Sequence, residues 1–411
     1  MGRADRAREE TILVLVLSAV PKRPLHFFTF HFFAALKLFT LRRRARRSPT
    51  SSLAAERDHA SVLARAARAA RETAQMRRAF AGDSSAQRAC SIAALDVTRA
   101  NGRSAVTRCY AEYPVKYLTP KRGIDGDCDC AWAYAVNMGG GLVSGDASGT
   151  TIRVDDGCAL ALATQGTQKV YKHNKRRWND DAKAGEGDGR SNVGETTSAL
   201  YASVGDGGLL ALLPDPTQIF ADAVFRQTQT IDMHEHGSCV CVDWITAGRV
   251  GYGNERWAFK RADVRTRVTS NGEPVVVEAT RLEASSRDSL NAEISLAMRM
   301  GAVNVVASLI IVGPRVRELA KSCGDWARDS ATRSMAHGGA SWVRASPGSV
   351  TQTDPQSKFF VSASDLPLPH SGIVLRFFAA DSESVQDVLR SLLAPLASQL
   401  GAPPYDERGG S

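Results

Sequence analysis

The densest group of metal-binding side chains in the sequence is Met233-His234-Glu235-His236-Gly237-Ser238-Cys239-Val240-Cys241. Imidazole and thiolate ligands suit nickel or zinc. On a strand, Cys239 and Cys241 share a face, because side chains alternate. His234 and His236 share a face with each other, but Gly237-Ser238 reads as a turn between them and the thiols. Two readings stay open. His234, His236, Cys239 and Cys241 could form a metal site; or a turn with a histidine pair leads into two buried thiols, free cysteine being among the most buried residue types. A single Cys-x-Cys is less specific than paired zinc knuckles. The same segment could serve a thiol- or metal-dependent hydrolase, provided nucleophile and base meet in one pocket. Cys128-Asp129-Cys130 is a second thiol pair, in an acidic, glycine-rich loop before a strand.

Three carboxylates are placed where a cation could pass. Asp146 closes the turn Gly139-Gly140-Gly141-Leu142-Val143-Ser144-Gly145-Asp146. It could hold a hard or borderline cation transiently, or cap its own turn by accepting backbone N–H groups. Asp215 stands between Pro214 and Pro216, which restrict the backbone on both sides and are expected to present it rigidly and exposed, as a surface contact, a tunnel residue or a plain structural turn. Glu255 and Arg249 flank Gly251-Tyr252-Gly253 and could pair across a turn, or Glu255 could line a metal route. Lys169 opens the basic run Lys172, His173, Lys175, Arg176 and Arg177, which reads as an acidic docking contact or a solvated loop. The sequence has neither a Gly-x4-Gly-Lys-[Ser/Thr] loop for nucleotide phosphates nor a His-Glu-x2-His helix of the zinc-protease type.

Bulk properties narrow the class. The chain has 411 residues and a formal net charge of +9. Residues 1–90 hold 18 Lys and Arg against 7 Asp and Glu, while the remainder holds 34 against 36. The excess therefore belongs to the N-terminal part, and a phosphate-binding groove would need it on the folded body. Nucleic acid is not an expected partner. Eight cysteines in so long a chain do not make a secreted disulfide scaffold.

Residues 1–87 differ in texture from the rest. They contain two short apolar runs, Arg42, Arg43, Arg44, Arg46 and Arg47, and an Ala/Arg/Ser-rich stretch. An organellar transit peptide, translation from Met76 and a short membrane anchor all fit, the first two better than the third. Residues 88–411 are expected to form the folded domain, with no membrane contact of its own.

From Ala89 onward, short strands alternate with turns. Ser104–Tyr110, Ala131–Met138, Thr150–Val154, Cys158–Thr164, Leu209–Leu213, Val264–Thr269 and Pro274–Ala279 all read as strands. Asp155-Asp156-Gly157 and Asn271-Gly272 predict hairpins, and Gly205-Asp206-Gly207-Gly208 repeats the turn signal. The expected fold class is mainly β, many short strands in a large β-sheet assembly with a few helices. Two helices fall towards the C-terminus, Pro314 to about Arg333 and Ser382–Leu400. Pro314 suits a first helical position. Asp381 is a natural N-cap for the last helix, Gly401 stops it, and Pro395 inside it predicts a kink. Phe220 and Phe225 are expected in the core, and Asp180–Gly194 reads as a surface loop.

Five stretches, in order, carry a resemblance to a known family. They are Tyr113-Pro114-Val115-Lys116-Tyr117-Leu118; the turn from Gly139 to Asp146; Thr164-Gln165-Gly166-Thr167-Gln168-Lys169-Val170-Tyr171; and Leu213-Pro214-Asp215-Pro216-Thr217, followed by Phe220 and Phe225-Arg226-Gln227. The fifth comprises Asp243-Trp244, Thr246-Ala247-Gly248-Arg249 and Glu255-Arg256-Trp257-Ala258-Phe259. Together they resemble the UreD (also called UreH) family of urease accessory proteins over roughly residues 88–282. The resemblance implies a mostly β, non-enzymatic scaffold that assists nickel incorporation into urease. It implies partners: UreF-like and UreG-like accessory proteins and apo-urease. It also implies a water-filled tunnel carrying nickel transiently, with no tightly bound cofactor, since a tight site would trap the ion. Asp146, Asp215 and Glu255 are the conduit candidates. Neither thiol pair belongs to the family signature. The family favours a cytoplasmic location, and the N-terminal extension leaves an organelle open.

Overall fold

Tight turns carry this chain back and forth between two β-sheets packed face to face. The computed structural model describes residues 90–120, 128–172, 195–252, 255–284, 295–336, 343–344 and 358–405. The extension over residues 1–87, His173 to Arg177 of the basic run and the Asp180–Gly194 loop lie outside the described residues.

The first strands are β1 (Cys90–Ala100), β2 (Arg103–Ala111), β3 (Val115–Leu118), β4 (Ala131–Asn137), β5 (Ala147–Val154), β6 (Ala159–Thr164) and β7 (Gln168–Val170). Then follow β8 (Thr196–Val204), β9 (Leu209–Leu213), β10 (Thr217–Ile219), β11 (Val224–Met233), β12 (Ser238–Thr246), β13 (Arg261–Ser270) and β14 (Glu273–Glu283). After a one-turn helix α1 (Leu296–Arg299) come β15 (Val305–Val312), α2 (Arg317–Ala336), β16 (Val343–Arg344), β17 (Lys358–Asp365), β18 (Gly372–Ala379), α3 (Ser382–Leu393) and α4 (Ala397–Leu400).

One sheet has seven strands in the order β14-β13-β11-β8-β5-β1-β2. The other has eleven, along β16-β17-β18-β15-β12-β9-β6-β4-β3, with β10 beside β12 and β7 beside β10. The central strands β1, β5, β8, β11 and β13 pair in parallel, as do β4, β6, β9 and β12 opposite them. The mainly β expectation holds, and so do the strand positions read from the sequence.

Two turns behave differently from their signal. Asp155-Asp156-Gly157 does not make a hairpin: β5 lies in the seven-stranded sheet and β6 in the eleven-stranded one. It is an arch between sheets. Gly205–Gly208 and His234–Gly237 make the same crossing from β8 to β9 and from β11 to β12. Adjacent arches bond to each other. Gly157 N donates to Asp206 O at 2.7 Å, and His234 N donates to Val204 O at 2.8 Å. Asn271-Gly272 is a true hairpin between antiparallel β13 and β14. Asn101-Gly102 forms another between β1 and β2, both residues at positive φ.

The physical cause lies in the faces. β6, β9 and β12 read ALALAT, LLALL and SCVCVDWIT and are buried almost throughout. Strands covered on both faces need a layer on each side. The seven-stranded sheet supplies one layer, and α2 and α3 supply the other. Leu319, Ala320, Cys323 and Ala327 of α2, with Val385, Val388, Leu389, Leu392 and Leu393 of α3, cover Val240, Val242, Trp244, Leu309 and Ile311. Asp381 caps α3 by accepting from Ser384 N at 2.7 Å. Pro395 falls in a 3-10 turn over Ala394–Leu396, the anticipated kink, and Gly401 ends the helix at φ 78°.

Leu389 is fully buried. Leu389→Ala is expected to cost about 2–5 kcal/mol, and Asp381→Ala about 1 kcal/mol by loss of the cap. Urea unfolding of both variants checks the order; equal losses would contradict this packing of α3.

Candidate functional site in the polar belt between the sheets

Alternation along each strand sends every second residue into the space between the sheets. Towards the arches that space is apolar, filled by Ile231, Met233, Val268, Cys239, Cys241, Ile310, Val312 and Val374. Towards the opposite end it is apolar again, with Phe225, Ile245, Val264, Val306 and, packed against them, Phe378. Between these layers runs a belt of polar side chains. On the seven-stranded sheet Gln229, Thr266 and Glu278 stand at paired positions of β11, β13 and β14. On the facing sheet Asp243, Ser308 and Arg376 stand at paired positions of β12, β15 and β18.

Asp243 is the centre of the belt. Its carboxylate accepts from Gln227 Nε2 at 2.9 and 3.0 Å, Gln229 Nε2 at 3.1 Å and Thr266 Oγ1 at 3.3 Å. Burial pushes its carboxyl up to about 6, while these hydrogen bonds pull it down. At neutral pH it is mostly ionised, and it is held by two neutral amides, a hydroxyl and the Trp244 backbone N–H. Such a group can receive a cation without first releasing another.

At the sheet edge Arg376 pairs with Glu278 at 2.8 and 2.5 Å and donates to Ser364 Oγ at 3.1 Å. Between this pair and Asp243 lies a partly open cavity of about 40 Å³, lined also by Thr266, Thr280 and Ser308 and by the apolar Ile245, Val264, Val306 and Phe378. That volume has room for roughly three waters. A further buried carboxylate, Glu195, accepts from Arg226 Nε at 3.2 Å and Arg261 NH2 at 2.6 Å.

The residues named from the sequence fall into separate places. Asp243 and Trp244 lie on β12, facing opposite ways: Asp243 into the belt, Trp244 towards the helices, where its Nε1 donates to Pro214 O at 2.8 Å. The other motif residues gather in loops at the end of the sheets away from the arches. Asp146 Oδ2 accepts from Val143 N at 2.8 Å within its own turn, with Gly145 at φ 84°. Asp215 is half-buried rather than presented outward, and its Oδ2 accepts from Thr164 Oγ1 at 3.0 Å and Gly166 N at 2.7 Å. Gln165 N donates to Ala135 O, and Gln168 N to Pro216 O. Glu255 makes a two-point ion pair with Arg249, whose guanidinium lies 4.8 Å from the Phe220 ring centre and 4.3 Å from that of Tyr252.

Two glycines of this end are required by close approach. A Cβ on Gly141 would stand 2.5 Å from Lys169 O, and one on Gly248 would stand 2.8 Å from both Glu255 O and Ile219 O. Both also adopt positive φ. Gly139 and Gly140 are likewise at positive φ, so the triple glycine is a backbone device, set against Tyr171, whose hydroxyl donates to Gly140 O at 3.3 Å.

His234, His236, Cys239 and Cys241 do not converge. The imidazoles are exposed at an arch, while both thiols are fully buried in the apolar layer. Burial pushes the Cys239 thiol up to about 12 and that of Cys241 well above the ordinary range. A thiol held protonated in apolar packing serves neither as a nucleophile nor as a ligand at neutral pH. Cys128-Asp129-Cys130 is split too: Cys130 is buried, and Asp129 pairs with Arg99 at 2.7 Å.

The belt residues Gln229, Thr266, Glu278 and Arg376 were not singled out from the sequence. A signal existed. Gln227 and Gln229 occupy the same alternating face as Phe225, Ile231 and Met233, an inward position for an amide that needs a buried partner.

The family described as UreD urease accessory protein matches residues 89–410. The chain is 34% identical to urease accessory protein D of Oryza sativa subsp. indica, over 77% of this chain and 96% of that protein. It is 29% identical to urease accessory protein D of Arabidopsis thaliana, over 75% and 97%. With urease accessory protein UreD of Sorangium cellulosum it shares 31% identity over 75% and 81%. The match spans the two sheets, the belt and the motif loops alike, and this chain belongs to the UreD family of urease accessory proteins.

Proposed function

We propose that this chain is a nickel-delivery scaffold without catalytic activity of its own. It binds UreF-like and UreG-like partners and apo-urease, in the cytoplasm, and nickel passes through the folded body by weak sites on its way to the urease active site. The observation that carries this reading is the belt: a buried carboxylate, Asp243, held by amides and a hydroxyl and bordering a small cavity of mixed polar and apolar lining between the sheets. Carboxylate and carbonyl oxygens hold a borderline cation loosely in comparison with thiolates or imidazoles, and a conduit needs loose sites. Asp146, Asp215 and Glu255 sit in the loops at the motif end, where they shape the approach through their backbone and arginine partners. Among the described residues no helix is long and apolar enough to cross a membrane.

The test is urease activation with the partner proteins co-expressed. Asp243→Ala is expected to lower the nickel content of urease on the order of tenfold, the scale on which metal sites respond to lost supporting groups. Binding of the UreF-like partner should survive. Normal nickel loading with Asp243→Ala would remove the belt from the route; absence of any complex with the wild-type chain would remove the scaffold reading itself.

A second expectation concerns stability. The folded Asp243 carboxyl, at about 6, lies above its unfolded value of about 3.9. The native state therefore holds this proton more tightly. Its contribution to stability falls as pH rises from about 4 through about 6, by up to about 3 kcal/mol. Asp243→Asn should flatten that part of the stability–pH curve, measured by urea unfolding. Identical slopes for both proteins would show that Asp243 does not titrate in this window.

A further inference from the structure

The arches bring together a set of ligands that the sequence separates. Asp206 lies in the turn between β8 and β9, held by Asp206 N donating to Asp156 Oδ1 at 2.8 Å. His234 and His236 lie in the next arch, where Gly237 N closes the turn on His234 O at 2.8 Å. Because the arches are stacked, both imidazoles reach the same carboxylate. His234 Nδ1 is 3.0 Å and His236 Nδ1 2.9 Å from one oxygen, Asp206 Oδ1. The ring centres are 5.5 Å apart, and ligand atoms of the three residues all lie within 4.8 Å of one another.

We propose that Asp206, His234 and His236 form a surface site for a borderline divalent cation of the nickel or zinc class. Ligand atoms around such an ion stand roughly 3–3.5 Å apart, given metal–nitrogen and metal–oxygen distances near 2.0–2.2 Å. Each imidazole nitrogen already stands at about that distance from Asp206 Oδ1. Two imidazoles and one carboxylate suit nickel or zinc far better than calcium or magnesium, which select all-oxygen sites. All three residues are exposed, so water completes the coordination and the ion exchanges freely. The site is separate from the polar belt: the apolar layer of Ile231, Met233, Cys239 and Cys241 lies between them. It does not depend on the nickel-delivery reading, since it is read out by binding alone.

The experiment is calorimetric titration of the untagged full chain with nickel and with zinc, in parallel with His234→Ala/His236→Ala and Asp206→Ala. The double variant is expected to bind one equivalent fewer. Asp206→Ala should weaken that equivalent on the order of tenfold or more. Zinc added to the wild-type chain should shift the ring resonances of His234 and His236 in NMR spectra, a readout that holds even if a variant folds poorly. Equal stoichiometry and affinity in folded variants would overturn the site. So would unshifted His234 and His236 resonances at saturating zinc, which would leave the three residues as a hydrogen-bonded turn only.

Discussion

Parallel pairing is the constraint on which the rest of this molecule depends. Neighbouring parallel strands cannot be joined by a tight turn within one sheet, because the chain must return to the same end before starting again. Here the return is made by a strand of the opposite sheet, so that β5, β6, β8, β9, β11 and β12 alternate between layers. The arches follow from this. They must be short, and they stack because the strands that carry them pair in register. Gly205 shows how tight the stack is: an added Cβ would meet Asp156 of the neighbouring arch within 3 Å.

The same winding explains the interior. Inward residues of the two sheets face each other, and apolar layers flank the polar belt towards both ends of the strands. A carboxylate in such a place is costly unless its oxygens find donors. Asp243 finds them in Gln227, Gln229 and Thr266. Nearer the edge, Glu278 is answered by a full charge from Arg376. The two carboxylates are thus of different kinds: one locked in a two-point ion pair, the other held by neutral dipoles in a medium where charge is strongly felt.

The loops at the motif end do another job. Gly141 and Gly248 let backbone cross backbone, Arg249 ties Phe220, Tyr252 and Glu255 into one unit, and Pro214 offers its carbonyl to both Trp244 and Tyr405. These contacts give the loops fixed shape without a long helix or strand to support them. The motif residues read from the sequence are therefore divided between shape, in the loops, and interior polarity, at Asp243 and Gln227.

Much was legible from residue order alone. Local pattern placed seven of the strands and the two C-terminal helices, because side-chain period and turn chemistry are local properties. Asp381, Pro395 and Gly401 marked the start, break and end of the last helical segment, and Asn271-Gly272 marked a hairpin. The five motif stretches were enough to name the family. What only the tertiary structure decided was which strands meet and which side chains face each other. Asp155-Asp156-Gly157 says that the chain reverses. Whether the two strands then lie side by side or face to face depends on the apolar faces of ALALAT needing cover on both sides, a demand met by distant segments. Asp243 meets Gln229, and Asp206 meets His234 and His236, for the same reason: alternation fixes the direction of a side chain, while its partner is set by the stacking of strands far apart in sequence.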